Sequence, residues 1–113
     1  MQMLVFVLNK IDLLDDIISE LTKSGIRGAT VIDSTGMATV LCESDHSEIP
    51  IFGSLKMLLN GSRPFNKTIF TVLKDDEVQI AIEAIKKVAG DLSKPNTGIL
   101  FSLPVNFVEG IKK

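Results

Sequence analysis

The sequence predicts an α+β fold in which a four-stranded antiparallel sheet carries two helices on one face. Residues 3–33 contain an apolar run, an amphipathic segment and a second β-rich run, and residues 65–104 repeat that order. In both repeats the amphipathic segment places apolar residues at the three- and four-residue spacing of a helix face. Residues 34–64 have no counterpart and exceed the usual connection of about two to six residues. The duplication therefore predicts the fold, and the unrepeated segment is the expected place of function.

The first repeat predicts strand, helix and strand in turn. Residues 3–8 are continuously apolar, which indicates a strand buried in the sheet. A helix follows and ends at Gly25, and residues 29–32 form the second strand. Residues 33–36 then introduce a bulge or a turn, and residues 37–41 are expected to continue the strand beyond it. The apolar face of this first helix comprises Ile11, Leu14, Ile17, Ile18 and Leu21.

The second repeat predicts the same three elements. Residues 67–73 form the third strand, and Asp75 or Asp76 is expected to cap the second helix. That helix ends at Gly90, and residues 99–103 form the fourth strand. The apolar face of the second helix comprises Val78, Ile82, Ile85, Val88 and Ala89.

This element order predicts a ferredoxin-like βαββαβ sandwich, one domain spanning residues 1–113. Right-handed crossovers place both helices on the same face of the sheet. The strands are apolar on both faces, so the face without helices is expected to pack against other copies of the chain, as a dimer or a trimer.

The amino-acid composition narrows the range of possible functions and locations. The net charge is -2 with scattered Lys and Arg, which argues against nucleic acid as the main partner. The single cysteine, Cys42, excludes an internal disulfide framework and fits a reducing, cytoplasmic location. No apolar run approaches the roughly 20 residues that a membrane-spanning helix needs.

Five segments of the chain carry a family resemblance: residues 13–21, 25–31, 33–37, 75–78 and 98–105. They resemble the PII signal-transduction superfamily, the trimeric nitrogen-regulatory proteins. The resemblance implies a homotrimer that binds an effector, ATP, ADP or another adenine nucleotide, in the clefts between subunits. It also implies that a long T-loop-like insert, here at about residues 37–64, docks on a regulated enzyme or a membrane transporter.

The chain departs from the family at several ligand positions. The T-loop glutamine of the family falls on Val40. The glycine-aspartate-glycine-lysine signature of its B-loop falls on residues 96–99, where only Gly98 matches. Its two phosphate-binding tail arginines fall on Gly110 and Lys112, and a lysine keeps the charge without the bidentate fork. The chain thus resembles a divergent PII-like protein.

Two loops supply the candidate ligand residues. Thr35 and Gly36 offer a hydroxyl and accessible backbone N–H groups to a ligand, or else form a bulge that bends the second strand. The loop after the second helix offers backbone N–H groups and lysine charge to an anion, or else is an ordinary connection. The full candidate set is Thr35, Gly36, Lys94, Thr97, Gly98 and Lys112.

Two other functions stay open alongside a non-enzymatic regulator. An acidic cluster around His46 suggests a divalent-metal-binding trimer similar to the CutA proteins, although its spacing matches no defined metal motif. An enzyme on this scaffold, such as an acylphosphatase, ranks last because Arg27 and Arg63 lie outside any recognised motif and no catalytic arrangement of a general acid or a nucleophile with His46 is recognisable. The acidic cluster consists of Glu43, Asp45, His46 and Glu48.

Overall fold

The computed structural model describes residues 1–43 and 65–111, apart from the side chains of Ala38, Cys42 and Glu43. Four strands and two long helices alternate in the predicted βαββαβ order, and a short helix follows the second strand. The elements are β1 (Gln2–Leu8), a 3-10 turn (Ile11–Leu13), α1 (Leu14–Lys23), β2 (Thr30–Ser34), α2 (Met37–Glu43), β3 (Asn66–Leu73), α3 (Asp75–Ala89) and β4 (Gly98–Pro104).

The four strands form one antiparallel sheet in the order β2-β3-β1-β4. β1 pairs along its whole length with β3 on one side and with β4 on the other. β2 and β4 are therefore the edge strands. The α+β, ferredoxin-like prediction is confirmed.

Alternation along β1 separates the two faces of the sheet. Leu4, Phe6 and Leu8 point to one face, where they join the core residues Ile17 of α1 and Ile85 of α3. Both helices cover this face because each presents one apolar stripe to it, while their charged residues face outward.

The helix ends agree with the sequence prediction at their C-termini and differ at one N-terminus. Gly25 follows α1 with φ +90° and Gly90 follows α3 with φ +79°, conformations that glycine adopts without steric cost. At the start of α3 the capping residue is Lys74 and not Asp75 or Asp76. The carboxylate of Glu77 accepts the backbone N–H of Lys74 at 3.0 Å, so an acid one turn into the helix satisfies a free donor.

The prediction that residues 37–41 continue the second strand is wrong, because these residues form α2. β2 continues through Asp33 to Ser34, which pairs with Asn66, the first residue of β3. Beyond Ser34 no strand partner exists among the described residues, and the backbone N–H of Val40 bonds instead to the carbonyl of Gly36 at 3.1 Å. A short apolar run does not by itself distinguish strand from helix.

Neither of the long helices α1 and α3 lies on the second face of the sheet. We call this the open face. Met3, Val5 and Val7 of β1 lie there, in register with apolar residues of the neighbouring strands. Val5, for example, is paired with Phe70 on one side and Phe101 on the other. The apolar side chains exposed or half-buried on this face are Met3, Val7, Ile32, Phe70, Val72, Ile99, Phe101 and Leu103.

The position of α3 on the core predicts a contrast between two isoleucines of that helix. Ile85 is 2% exposed and Ile80 is 46% exposed. Ile85→Ala removes packed core volume, so we expect it to lower the free energy of unfolding by about 2–5 kcal/mol. Ile80→Ala, the matched control, changes it by less than about 1 kcal/mol. Urea unfolding of both variants measures the difference, and equal losses would contradict this placement of the helix.

Candidate functional site

Two of the predicted ligand residues lie where β2 leaves the sheet. Ser34 pairs with Asn66, so the chain departs after β2 and returns to β3 at the same point. The Ser34 hydroxyl bonds to the side-chain oxygen of Asn66 and lies 2.7 Å from the hydroxyl of Thr68. Thr35 and Gly36 follow directly, with Thr35 exposed. The cluster thus fixes the base of the excursion and leaves Thr35 accessible.

Three further predicted residues lie before and at the start of β4. Thr97 is 3% exposed, and its hydroxyl donates to the carbonyl oxygens of Leu92 at 3.2 Å and Lys94 at 2.7 Å. Its side chain therefore shapes the loop and is not available to a ligand. Lys94 is exposed, so its ammonium group is the positive charge that this loop offers, and Asp91 of the same loop carries a carboxylate.

Gly98 is required by its surroundings. Its φ is +149°, and a Cβ at this position would lie 2.3 Å from the Val7 carbonyl oxygen and 2.8 Å from a ring carbon of Phe6. The close approach of β4 to β1 accounts for glycine here whether or not a ligand binds.

The two groups of residues share one end of the sheet. Gly98 and Lys67 both pair with Leu8, and Ser34 pairs with Asn66, so β1 and β2 end where β3 and β4 begin. We call this the loop end. Within one copy, however, β2 and β4 are separated by three interstrand spacings of about 4.8 Å, or roughly 14 Å. One subunit therefore does not bring Thr35 and Gly36 to the loop of Lys94.

The last predicted residue, Lys112, lies outside the described residues. Ile111, which precedes it, lines a groove at the opposite end of the sheet. β2 begins at Thr30, opposite Phe70, whereas β3 continues to Leu73. The end of β3 therefore has no partner in β2, and this offset contributes to the groove. The groove has a volume of about 600 Å³.

The groove was missed by the sequence analysis. Arg27 and Lys74 contribute positive charge to its lining, and Glu77 contributes a carboxylate. Met1 also lines the groove, and its amino group lies 3.3 Å from the carboxylate of Asp75. This hydrogen bond, followed by one from Gln2, lowers the pKa of Asp75. In the sequence, Gly25 and Gly28 flank Ile26 and Arg27; only Gly25 has an interpretation there, as the helix stop.

The metal hypothesis gains no support from the described part of the chain. Residues 1–43 and 65–111 contain no group of three or more His, Cys, Asp or Glu side chains placed to hold an ion. The proposed ligands Asp45, His46 and Glu48, and the side chain of Glu43, lie outside the described residues.

Among the helices described, none has the length and apolar character to span a bilayer.

Comparison with protein-family models and with curated protein sequences gives no match. The resemblance to PII proteins accordingly rests on the sequence segments named above.

The contact between Gly98 and β1 predicts a large cost for adding one methyl group. Gly98→Ala forces the backbone of β4 away from Val7, and we expect a loss of about 2 kcal/mol or more in the free energy of unfolding. Gly28→Ala is the matched control, because nothing lies within 4 Å of its added Cβ. Thermal unfolding distinguishes them. Similar stability of the two variants would contradict the structural role of Gly98.

The loop before β4 predicts a shifted titration. Ser93 donates its hydroxyl at 2.7 Å and its backbone N–H at 3.0 Å to one carboxylate oxygen of Asp91, and these bonds lower the pKa of Asp91. We expect Ser93→Ala to raise that pKa toward its ordinary value, as measured by NMR titration, whereas Ser102→Ala in β4 leaves it unchanged. Because the folded pKa is lowered, the contribution to loop stability is present above the ordinary pKa of Asp and is lost as pH falls through the lowered value. An Asp91 titration unaffected by Ser93→Ala would contradict this.

Proposed function

We propose that the chain is a PII-like regulatory protein without catalytic activity. It binds a small anionic effector, such as ATP, ADP or another adenine nucleotide, in clefts between the subunits of a homotrimer. The insert at about residues 37–64 contacts a regulated enzyme or membrane transporter, and the protein acts in the cytoplasm.

The observation that carries this proposal is the pairing of Ser34 with Asn66. Adjacent antiparallel strands need only about two residues to connect them. Here the chain leaves the sheet after Ser34 and re-enters it at Asn66, its pairing partner, so the connection is far longer than the pairing of β2 with β3 requires. Long connections anchored on a rigid sheet are common carriers of binding function. Such an insert can contact a partner protein while a ligand binds at its base, so that ligand binding changes the contact.

The chemistry at the loop end favours an anion as effector. The Lys94 ammonium is exposed there, and the Thr35 hydroxyl is available as a hydrogen-bond donor. Lys67 at the same end is ion-paired with Asp33, so its charge is already partly compensated. A phosphate or carboxylate accepts bonds from such donors and complements the lysine charge.

The open face supports association with further copies of the chain, as the proposed trimer requires. Monomeric proteins seldom expose contiguous apolar patches of several strands. Ile99, Phe101 and Leu103 line one edge of this face, and Ile32 lies at the other. Covering them with further copies removes apolar surface from water, which is the main driving force of association.

Isothermal titration calorimetry with ATP and ADP tests the proposal. We expect Thr35→Glu and Lys94→Glu each to weaken nucleotide binding about tenfold or more, because each places a carboxylate beside the anion. Lys86→Glu, an exposed charge reversal in the last turn of α3, is the control and leaves the affinity within about twofold.

Two results would contradict the proposal. One is a wild-type protein that binds neither nucleotide at millimolar concentration and responds only to divalent metal, which would favour the CutA-like alternative. The other is nucleotide binding that both loop-end variants leave unchanged but Lys74→Glu weakens, which would move the ligand to the groove at the opposite end.

A further inference from the structure

The groove at the end of the sheet opposite the loop end is bordered by an unpaired strand edge. β2 begins at Thr30, opposite Phe70, whereas β3 continues to Leu73. Successive residues of an antiparallel strand direct their backbone N–H and C=O groups to alternate sides, so at least one of residues 71–73 directs both groups away from β1. Within the described part of the chain, no backbone hydrogen bond joins these residues to the segment before β2. This edge therefore has backbone donors and acceptors to offer.

The tail after β4 enters this groove but is held there by little. The N–H of Val105 bonds to the carbonyl oxygen of Met1 at 3.1 Å, and the tail then reaches the groove with Gly110 and Ile111. Residues 106–111 form no hydrogen bond with any other described residue. The side chain of Ile111 is still 44% exposed. Another segment can therefore displace Ile111 at the cost of a small apolar contact.

Positive charge exceeds negative charge along the groove. The exposed side chains of Arg27 and Lys74 form no ion pair with any other described residue. The carboxylate of Glu77 accepts the backbone N–H of Lys74 at 3.0 Å, and the amino group of Met1 is paired with the carboxylate of Asp75. Three cations thus face two carboxylates, and an occupant that carries a further carboxylate complements the excess.

The form of the groove favours a chain-like occupant. A free strand edge presents N–H donors and C=O acceptors together, and another extended backbone satisfies both kinds of group. A small anion only accepts hydrogen bonds, so it leaves the carbonyl groups of the edge without donors. The three residues of free edge extend over about 10 Å. Buried Ile26 and half-buried Val72 add apolar surface beside them.

We propose that the groove binds an extended peptide segment of a partner protein, which adds as a short strand to the free edge of β3 and presents a carboxylate to Arg27 and Lys74. Backbone pairing supplies affinity in such complexes, and side chains on alternate sides supply selectivity. An apolar residue of the peptide takes the place of Ile111. The uncharged β4 edge of a second copy, Gly98–Pro104, fits this groove less well because it offers no carboxylate.

This peptide site is separate from the contact proposed for the insert. The insert leaves the sheet after Ser34, at the loop end, whereas the groove lies at the other end of the same strands. The proposal therefore does not rest on nucleotide binding, and it stands or falls on the groove alone.

Selection from a library of random linear peptides on the full-length protein tests the proposal. We expect the enriched peptides to carry Asp or Glu next to an apolar residue. A synthetic peptide of the most enriched sequence is then titrated by fluorescence anisotropy. Its affinity is expected to fall about tenfold or more when Arg27→Glu and Lys74→Glu are combined, because both reversals place a carboxylate against that of the peptide.

Lys10→Glu combined with Lys86→Glu is the matched control for charge. Both lysines are exposed and lie outside the groove, and the double reversal changes the net charge by the same amount. We expect this variant to bind the peptide within about twofold of the wild-type affinity. Equal weakening by the two double variants, no weakening by either, or a library without any enriched peptide would overturn the proposal.

Amide hydrogen exchange, measured by NMR with and without the peptide, tests the strand pairing itself. We expect the peptide to slow exchange of at least one amide among residues 71–73 and to leave the amides of Thr35 and Lys94 unchanged. Unchanged exchange at all of residues 71–73 would overturn the strand addition. ATP that protects these amides and displaces the peptide would assign the groove to a small anion, and protection that rises with protein concentration alone would assign it to a second copy. Either result would overturn the proposal.

Discussion

The continuous pairing of β1 with both of its neighbours is the constraint on which the rest of the structure depends. Because β1 hydrogen-bonds along its full length on both sides, it fixes the level of every residue in β3 and β4. Its alternating side chains also define the core face and the open face. Leu4, Phe6 and Leu8 are covered by the two long helices, while Met3, Val5 and Val7 belong to the open face, which neither long helix covers.

The two ends of the sheet on either side of this central pairing differ in their chemistry. At the loop end the chain leaves after Ser34 and returns at Asn66, and β4 starts beside Val7 with a glycine that no other residue replaces without strain. At the other end the tail and the segment before β2 line a groove that contains Arg27 and Lys74. The loop end combines the two groups of candidate ligand residues with the base of the insert, which is the arrangement that a ligand-responsive loop requires.

The structure explains some of the candidate ligand residues without a ligand and leaves others as candidates. Thr97 and Gly98 are explained by the loop and by the contact with β1, so their presence in the sequence does not depend on a ligand. Thr35 and Lys94 have exposed side chains and no such structural explanation. The function proposed here therefore depends on the latter pair, and on the second copy that would bring them together.

The sequence by itself determined the elements that have a long periodic signal. The repeated strand–helix–strand order, the glycine stops at 25 and 90 and the apolar faces of α1 and α3 followed from local patterning, because burial imposes a period on every such segment. Only the tertiary structure decided that residues 37–41 are helical. A short apolar run can form a strand or a helix, and a strand requires a neighbouring strand to pair with. It also decided that the candidate ligand residues after β2 and those before β4 lie at opposite edges of the sheet, because the position of a strand in a sheet depends on long-range contacts.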